Sequence, residues 1–476
     1  MSANTLGCLL NRANLKRVMR QSPTGFLGAS RHFSVSTFSQ YSKEKVTILG
    51  SGWAGFRLAK DLNPDKYEVS LISPRNHFVF TPLLASTSVG TLEFRNICET
   101  IRHHNPNVNF VEGTCEDIDF ANRKLKVATS FTTSPDLHSF EMGYDKLIVA
   151  VGARVNTFGI KGVQENAYFL KEIKDAQKIR RRVMDCFEKA SLPGASEETK
   201  KRVLNFAVVG GGPTGVEFSA ELHDFVKEDL SRIYPNLMPY VRMTLYDVAP
   251  KILTAFDSRL TEYATKLFSR EGIRIQTRTS VLELKRDSMI LNTGKEIPVG
   301  LVVWATGVTE TPLIASLGEK VRKQNKRLVT DDRLRLLSAA SGQVIDENVY
   351  GLGDCASIRD NAIACTAQAA EQQARYLVKV LNKGMSENTP PFQFHNRGVM
   401  AYLGNWNAIV ELKDPTPSNS SLTLSGKPAT IKQAGRVAWF LWRSAYMSKS
   451  VSWRNRIFIP FYWFMTYVFG RDVSRF

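Results

Sequence analysis

The chain has 476 residues, 43% hydrophobic and 23% charged, ordinary globular values that exclude a disordered or collagen-like protein. Its length allows two or three domains with their own cores. The net charge of +18 is not ordinary. It suits an anionic membrane surface better than nucleic acid, because the basic residues are scattered and no nucleic-acid module is evident.

The first 43 residues carry Arg12, Lys16, Arg17, Arg20, Arg31 and Lys43 and no acid. They are rich in Ser and Thr, and Leu6 to Met19 reads as an amphipathic helix. This composition predicts a mitochondrial transit peptide. A short apolar strand follows, Val46 to Leu49, running into Gly50-Ser51-Gly52-Trp53-Ala54-Gly55 and a helical pattern. Tyr67 to Ser73 reads as the second strand, and Lys146 to Val151 as a strand ending in the small-residue turn at Gly152. A second strand–turn–helix unit begins at Phe206 to Val209 and continues through Gly210-Gly211-Gly212-Pro213-Thr214-Gly215-Val216-Glu217. Leu301 to Trp304, ending at Ala305-Thr306-Gly307, closes it as the strand before Gly152 closes the first. After Val349 to Leu352 and Gly353-Asp354 the chain returns to the first unit.

Two G-x-G-x-x-G turns, each between a strand and a helix, predict two bound dinucleotides. The economical pair is a resident, non-covalent FAD and a nicotinamide that comes and goes. Gly50 and Gly210 permit the tight turn, and Gly52 and Gly212 let backbone N–H groups approach a pyrophosphate. Gly55 and Gly215 let the helix pack on the sheet. Asp354, at a strand end, is the candidate for the flavin's ribityl hydroxyls, with Gly353 and Gly152 in the same site. Asp247 ends the second strand of the second unit, 37 residues after Gly210, an excess ascribed to a helical insertion from Asp224 to Pro239. A carboxylate there accepts from a ribose 2′-hydroxyl and repels a 2′-phosphate, so NADH is expected over NADPH. The first unit has Ser73 in that place. The expected fold is α/β, with two Rossmann-like dinucleotide-binding domains and a C-terminal membrane-anchoring segment. The boundaries are residues 44–170 with 331–400 for FAD, 171–330 for NADH with Gly307 at its turn, and 401–476 for the anchor.

The anchor is read from Trp453 to Arg471. Its apolar run of about 13 residues is shorter than the ~20 needed to span a bilayer. It is rich in aromatics and edged by Arg454, Arg456 and Arg471, with Trp439, Phe440, Trp442 and Tyr446 upstream. That pattern predicts a segment lying in the membrane interface. A homodimer interface is compatible with it. The six cysteines form no C-x-x-C pair or zinc spacing, and no EF-hand loop occurs, so no metal site is expected.

From about residue 44 the chain resembles the mitochondrial type II NADH:ubiquinone oxidoreductases, the single-subunit alternative NADH dehydrogenases of fungi and plants. The resemblance rests on both glycine turns, Ser73-Pro74-Arg75-Asn76-His77-Phe78, Phe80-Thr81-Pro82-Leu83-Leu84, Trp304-Ala305-Thr306-Gly307 and Cys365-Thr366-Ala367-Gln368-Ala369-Ala370-Glu371-Gln372-Gln373. It implies that Ala367 and Gln368 line a quinone site and that Thr81 approaches the flavin ring. It also implies that Glu217 lies where nicotinamide meets flavin and relays protons to the quinone. The implied reaction is hydride transfer from NADH to FAD and two-electron reduction of ubiquinone, without proton pumping. The implied location is the inner mitochondrial membrane, on its lipid surface, and a leader with no following span favours the matrix side. Two other readings remain at this point. One is a sulfide:quinone reductase, which needs reactive cysteines, for which Cys355 and Cys365 are the candidates. The other is an apoptosis-inducing-factor-like NADH sensor that binds DNA through its charge.

Overall fold

Apolar strands that end in glycine turns build two parallel sheets. In the computed structural model the described residues are 43–129, 131, 138–413 and 430–475. The predicted transit peptide, with Leu6 to Met19 and Cys8, falls outside them. The first sheet has the strand order 349–351, 146–149, 44–49, 67–73 and 108–119, all parallel, and two antiparallel strands, 124–129 and 139–143, extend its edge. The second has the order 168–169, 301–304, 205–209, 242–246 and 274–276, also all parallel. Strands such as Leu301–Trp304 are buried along their whole length, as a parallel sheet covered on both faces requires.

In each sheet the strand before the glycine turn sits between the next strand in sequence and the closing strand. Gly50 has φ +100° and Gly210 φ +117°, backbone that an L side chain rarely adopts. A Cβ on Gly55 would run into the carbonyl oxygen of Gly50, and one on Gly215 into that of Gly210. These contacts seat helix α1 (Trp53–Asp61) and helix α3 (Pro213–Phe225) on their sheets. Between them in sequence, α2 (Ile173–Ser191) is fixed by a reciprocal cap between Glu172 and Asp175. Beyond α3 the chain stays helical through Val226–Leu230, Ser231–Ile233 and Pro235–Tyr240, which is the excess length before Asp247.

The return strand Val349–Gly351 pairs in parallel with Lys146–Val149, so the chain does come back to the first sheet. Strand Tyr168–Phe169 pairs with the second sheet, so that unit begins before residue 171. Helix α4 (Ala367–Lys383), capped by Thr366, packs against α1. The C-terminal segment is a three-stranded antiparallel sheet, 398–404, 407–413 and 430–435, with helices α5 (Arg436–Lys449) and α6 (Trp453–Phe469). Asn455, Ile459 and Trp463, spaced by four, turn one face of α6 inward. No helix among the described residues is long and apolar enough to cross a membrane.

Candidate functional site

Each glycine turn ends at a helix start that lacks a side-chain cap. Gly52 and Gly212 are the N-caps of α1 and α3, and neither helix has a capping side chain. Helices beginning at Glu197, Ser258, Pro312, Ala367 and Trp453 do have one. Uncapped first-turn N–H groups and the positive end of the helix dipole suit a pyrophosphate. The glycines themselves test that fit. Gly52 and Gly212 have φ near −74°, open to any residue, and a Cβ on either would meet nothing within 4 Å. The same holds at Gly307 for space, and at Gly152, whose φ is +67°. No protein atom fills these four places, so the cradles have room for a dinucleotide. Gly353 (φ +75°) opens the turn that carries Asp354, between Ala54 and Ala370. Among the described residues the Asp354 carboxylate makes no hydrogen bond within the protein, so its oxygens are available to hydroxyl donors. The buried amide of Gln373 accepts from the Gly353 N–H at 2.8 Å and sets this turn.

Other predicted site residues are engaged by the protein. Ser73 ends its strand, but its hydroxyl is buried and lies 2.8 Å from that of Ser51 inside the first glycine turn. A half-buried cation nearby is Arg75, paired with Glu172. Asp247 accepts from the Gly211 N–H and, at 2.6 Å, from the Ala249 N–H. The acid is therefore clamped to the turn it was expected to serve. Gln368 donates to the Gly398 carbonyl and accepts from the Arg397 N–H, both at 3.1 Å. One turn later Gln372 grips His395 in the same two-way manner. Thus Ala367 and Gln368 open α4, and the two glutamines clasp the chain where it enters the C-terminal segment.

Glu217 lies on α3 and is buried. Its Oε1 accepts from the Tyr402 N–H at 3.1 Å and from the Trp442 indole N–H at 3.2 Å. Burial pushes its carboxyl up to about 8, against the pull of these two donors. Glu217 and Gln368 meet the same strand, at residues 402 and 398, about 13 Å apart at the usual rise per residue. From Trp442 the rings run on to Tyr446 at 4.9 Å, Phe80 at 6.1 Å and Trp53 at 5.4 Å, whose indole donates to Thr81 at 3.0 Å. Residues from both glycine-turn units and from the C-terminal segment therefore converge here.

Two buried acids beside Glu217 were not among the candidates. Glu221 accepts from the hydroxyls of Ser86 (2.6 Å) and Thr91 (2.7 Å), and Asp224 accepts from the Tyr402 hydroxyl (2.7 Å). The signal was present: acids at 217, 221 and 224 share one face of this helix. The cysteines do not offer thiolates. Cys355 is buried and pushed up to about 12, and burial raises Cys365 as well. Among the described residues no cluster of His, Cys, Asp and Glu suits a metal ion.

Two open phosphate cradles around one shared junction define a two-dinucleotide flavoprotein reductase. The family model for pyridine nucleotide-disulphide oxidoreductases matches residues 44–374, and that for the NDH2 C-terminal domain matches residues 396–472. The chain belongs to the pyridine nucleotide-disulphide oxidoreductases and, within them, to the type II NADH dehydrogenases. A probable NADH dehydrogenase of Dictyostelium discoideum is 41% identical, covering 91% of each chain. An internal alternative NAD(P)H-ubiquinone oxidoreductase of Solanum tuberosum mitochondria is 40% identical over 91% of this chain and 88% of its own. An external counterpart from Arabidopsis thaliana is 36% identical over 90% and 91%. The NDH2 structure from Plasmodium falciparum in complex with NADH superposes with a TM-score of 0.82 at 28% identity, over 91% of this chain and all of that one. The sulfide:quinone oxidoreductase of Aquifex aeolicus shares the fold at 19% identity and a TM-score of 0.64, over 85% and 90%.

Proposed function

We propose that this protein oxidises NADH and reduces ubiquinone by two electrons, without pumping protons, on the inner membrane of the mitochondrion. The observation that carries the reading is the junction where buried Glu217 of the second unit meets Trp442, from which the aromatic chain runs to Trp53 and Thr81 of the first, with Gln368 on the same strand as the Glu217 contact. FAD, when bound, would supply the two-electron chemistry that links NADH to the quinone. Gly52, Gly55, Gly152, Gly353 and Asp354 would hold it. Gly212, Gly215, Asp247 and Gly307 would hold NADH, with Asp247 keeping the turn shut against a 2′-phosphate. Glu217 is neutral below about pH 8 and so carries a proton into a buried site. Buried thiols held protonated argue against the sulfide reading.

Purified, FAD-loaded protein should oxidise NADH rapidly with a short-chain ubiquinone. Gln368→Ala loosens the Arg397–Gly398 clasp, so turnover should fall about tenfold or more while NADH still bleaches the flavin, a loss of near 1.4 kcal/mol of positioning. Flavin bleaching without quinone turnover in the unaltered protein would refute the reading.

We place the outer face of α6 against lipid, with residence on the matrix side and homodimer formation as parts of the same reading. Trp453, Ile457, Phe461, Phe464, Tyr467 and Phe469 are half or more exposed there. Such a patch, flanked by arginines, suits the headgroup boundary. Each large side chain contributes about 1.5–3 kcal/mol when fully buried. Phe461→Glu with Phe464→Glu should therefore move the enzyme from sedimenting vesicles to the supernatant. Retained sedimentation would place the patch in a protein–protein contact instead.

A further inference from the structure

Glu217 is gripped from outside its own domain. Both donors reach the same oxygen, Oε1: the Tyr402 N–H from strand 398–404 and the Trp442 indole N–H from α5. No donor among the described residues reaches Oε2. The other ionisable groups around it are Glu221 on its own helix, the Tyr402 hydroxyl, which is given to Asp224, and Tyr446 on α5. Arg443 on α5 lies beyond them, beside Tyr402 and Glu221.

A neutral carboxylic acid has one oxygen that accepts and one that carries the proton. Two N–H donors occupy the acceptor sites of Oε1. The proton is thereby confined to Oε2, the oxygen the protein leaves unengaged. We propose that Trp442 is a positioning residue for quinone reduction: its indole N–H, together with the Tyr402 N–H, fixes the proton of Glu217 on Oε2. The assignment rests on the reading of Glu217 as the proton relay.

Two observations set this apart from packing. Trp442 is buried, and a buried indole N–H must find an acceptor; Glu217 is the one it has. Its ring also packs at a tilt against Tyr402 (5.4 Å) and edge-on against Tyr446 (4.9 Å), contacts that a Phe largely keeps. Trp442→Phe thus removes the donor and leaves most of the wall. The donor favours the charged carboxylate, so its loss moves Glu217 further up.

The test is the pH dependence of NADH:quinone turnover in the full-length, FAD-loaded enzyme, with flavin content measured alongside. In the parent protein turnover should fall as pH rises through about 8. Trp442→Phe should move that limb upward by about one pH unit and lower the plateau several-fold. On a Glu217→Gln background the same change should add no shift. Should Trp442→Phe lose its flavin, Trp442→His, which keeps a ring N–H, should hold the limb near its parental place. A limb that stays put in Trp442→Phe with flavin retained overturns the proposal, as does a limb that moves equally in the His variant. If Glu217→Gln itself retains the limb, the relay reading fails first. If Glu217→Gln removes the limb and Trp442→Phe leaves it, only the Trp442 assignment fails.

Discussion

Glu217→Gln should slow quinone reduction by about 10²-fold or more, the usual contribution of a positioned proton donor, and at the same time make the protein more stable. Both effects follow from one buried carboxyl. Its folded pKa is near 8, against 4.5 for the free side chain. Below pH 4.5 the group is neutral folded or unfolded and takes nothing from stability. Between pH 4.5 and 8 the unfolded chain ionises while the folded one stays protonated, so stability falls with rising pH across that window. At about 1.4 kcal/mol per pH unit the loss reaches a few kcal/mol by pH 8. Glutamine matches the shape of the neutral acid and still accepts from Tyr402 and Trp442, but it does not titrate. The variant should melt several degrees higher than the parent at pH 8 and nearly together with it at pH 4.5, with flavin bleaching by NADH retained throughout. Equal melting at both values would mean that the carboxyl is not held neutral. Stability surrendered at a site that transfers protons is the expected trade between activity and folding.

The glycine turns were legible because what they demand is local. A left-handed φ at Gly50 and Gly210 and the close approach at Gly55 and Gly215 are written into six consecutive residues. The return of the chain at Val349 to Gly351 was legible for a related reason, an apolar run ending in Gly-Asp that a parallel strand at the end of a sheet requires. Side-chain partnerships were not. Ser73 occupies the place of a ribose-binding acid in register, yet its hydroxyl is spent on Ser51, which only the folded turn brings near. The resemblance singles out Ala367 and Gln368, but it does not show that Gln368, Gln372 and Gln373 each also hold backbone of other segments. Glu217 and Trp442 are 225 residues apart in sequence, and their contact exists only once the C-terminal helices close over α3. Glu221 and Asp224, by contrast, are legible from spacing alone, since 217, 221 and 224 fall on one face at 3.6 residues per turn.

The largest separation of effects is expected at the two N-cap glycines. Gly52→Val and Gly212→Val are chemically identical changes in equivalent turns. Each backbone has φ near −74°, which valine tolerates, and neither Cβ meets a protein atom within 4 Å. Both proteins should therefore fold, with melting curves close to the parent. The added isopropyl group instead fills the space left for a pyrophosphate. Gly52→Val should be purified colourless, its FAD content down about 100-fold, the loss of roughly 3 kcal/mol that follows when a few backbone N–H to phosphate bonds cannot form. Gly212→Val should remain yellow and lose instead its response to NADH, with dithionite still bleaching the flavin. The contrast with Gly55→Val is the control. There the side chain strikes the Gly50 carbonyl and the helix cannot seat, so the protein should fail to fold rather than fail to bind. Loss of flavin in Gly212→Val with retention in Gly52→Val would exchange the two cradles, and loss in both with intact melting would mean that one dinucleotide bridges them.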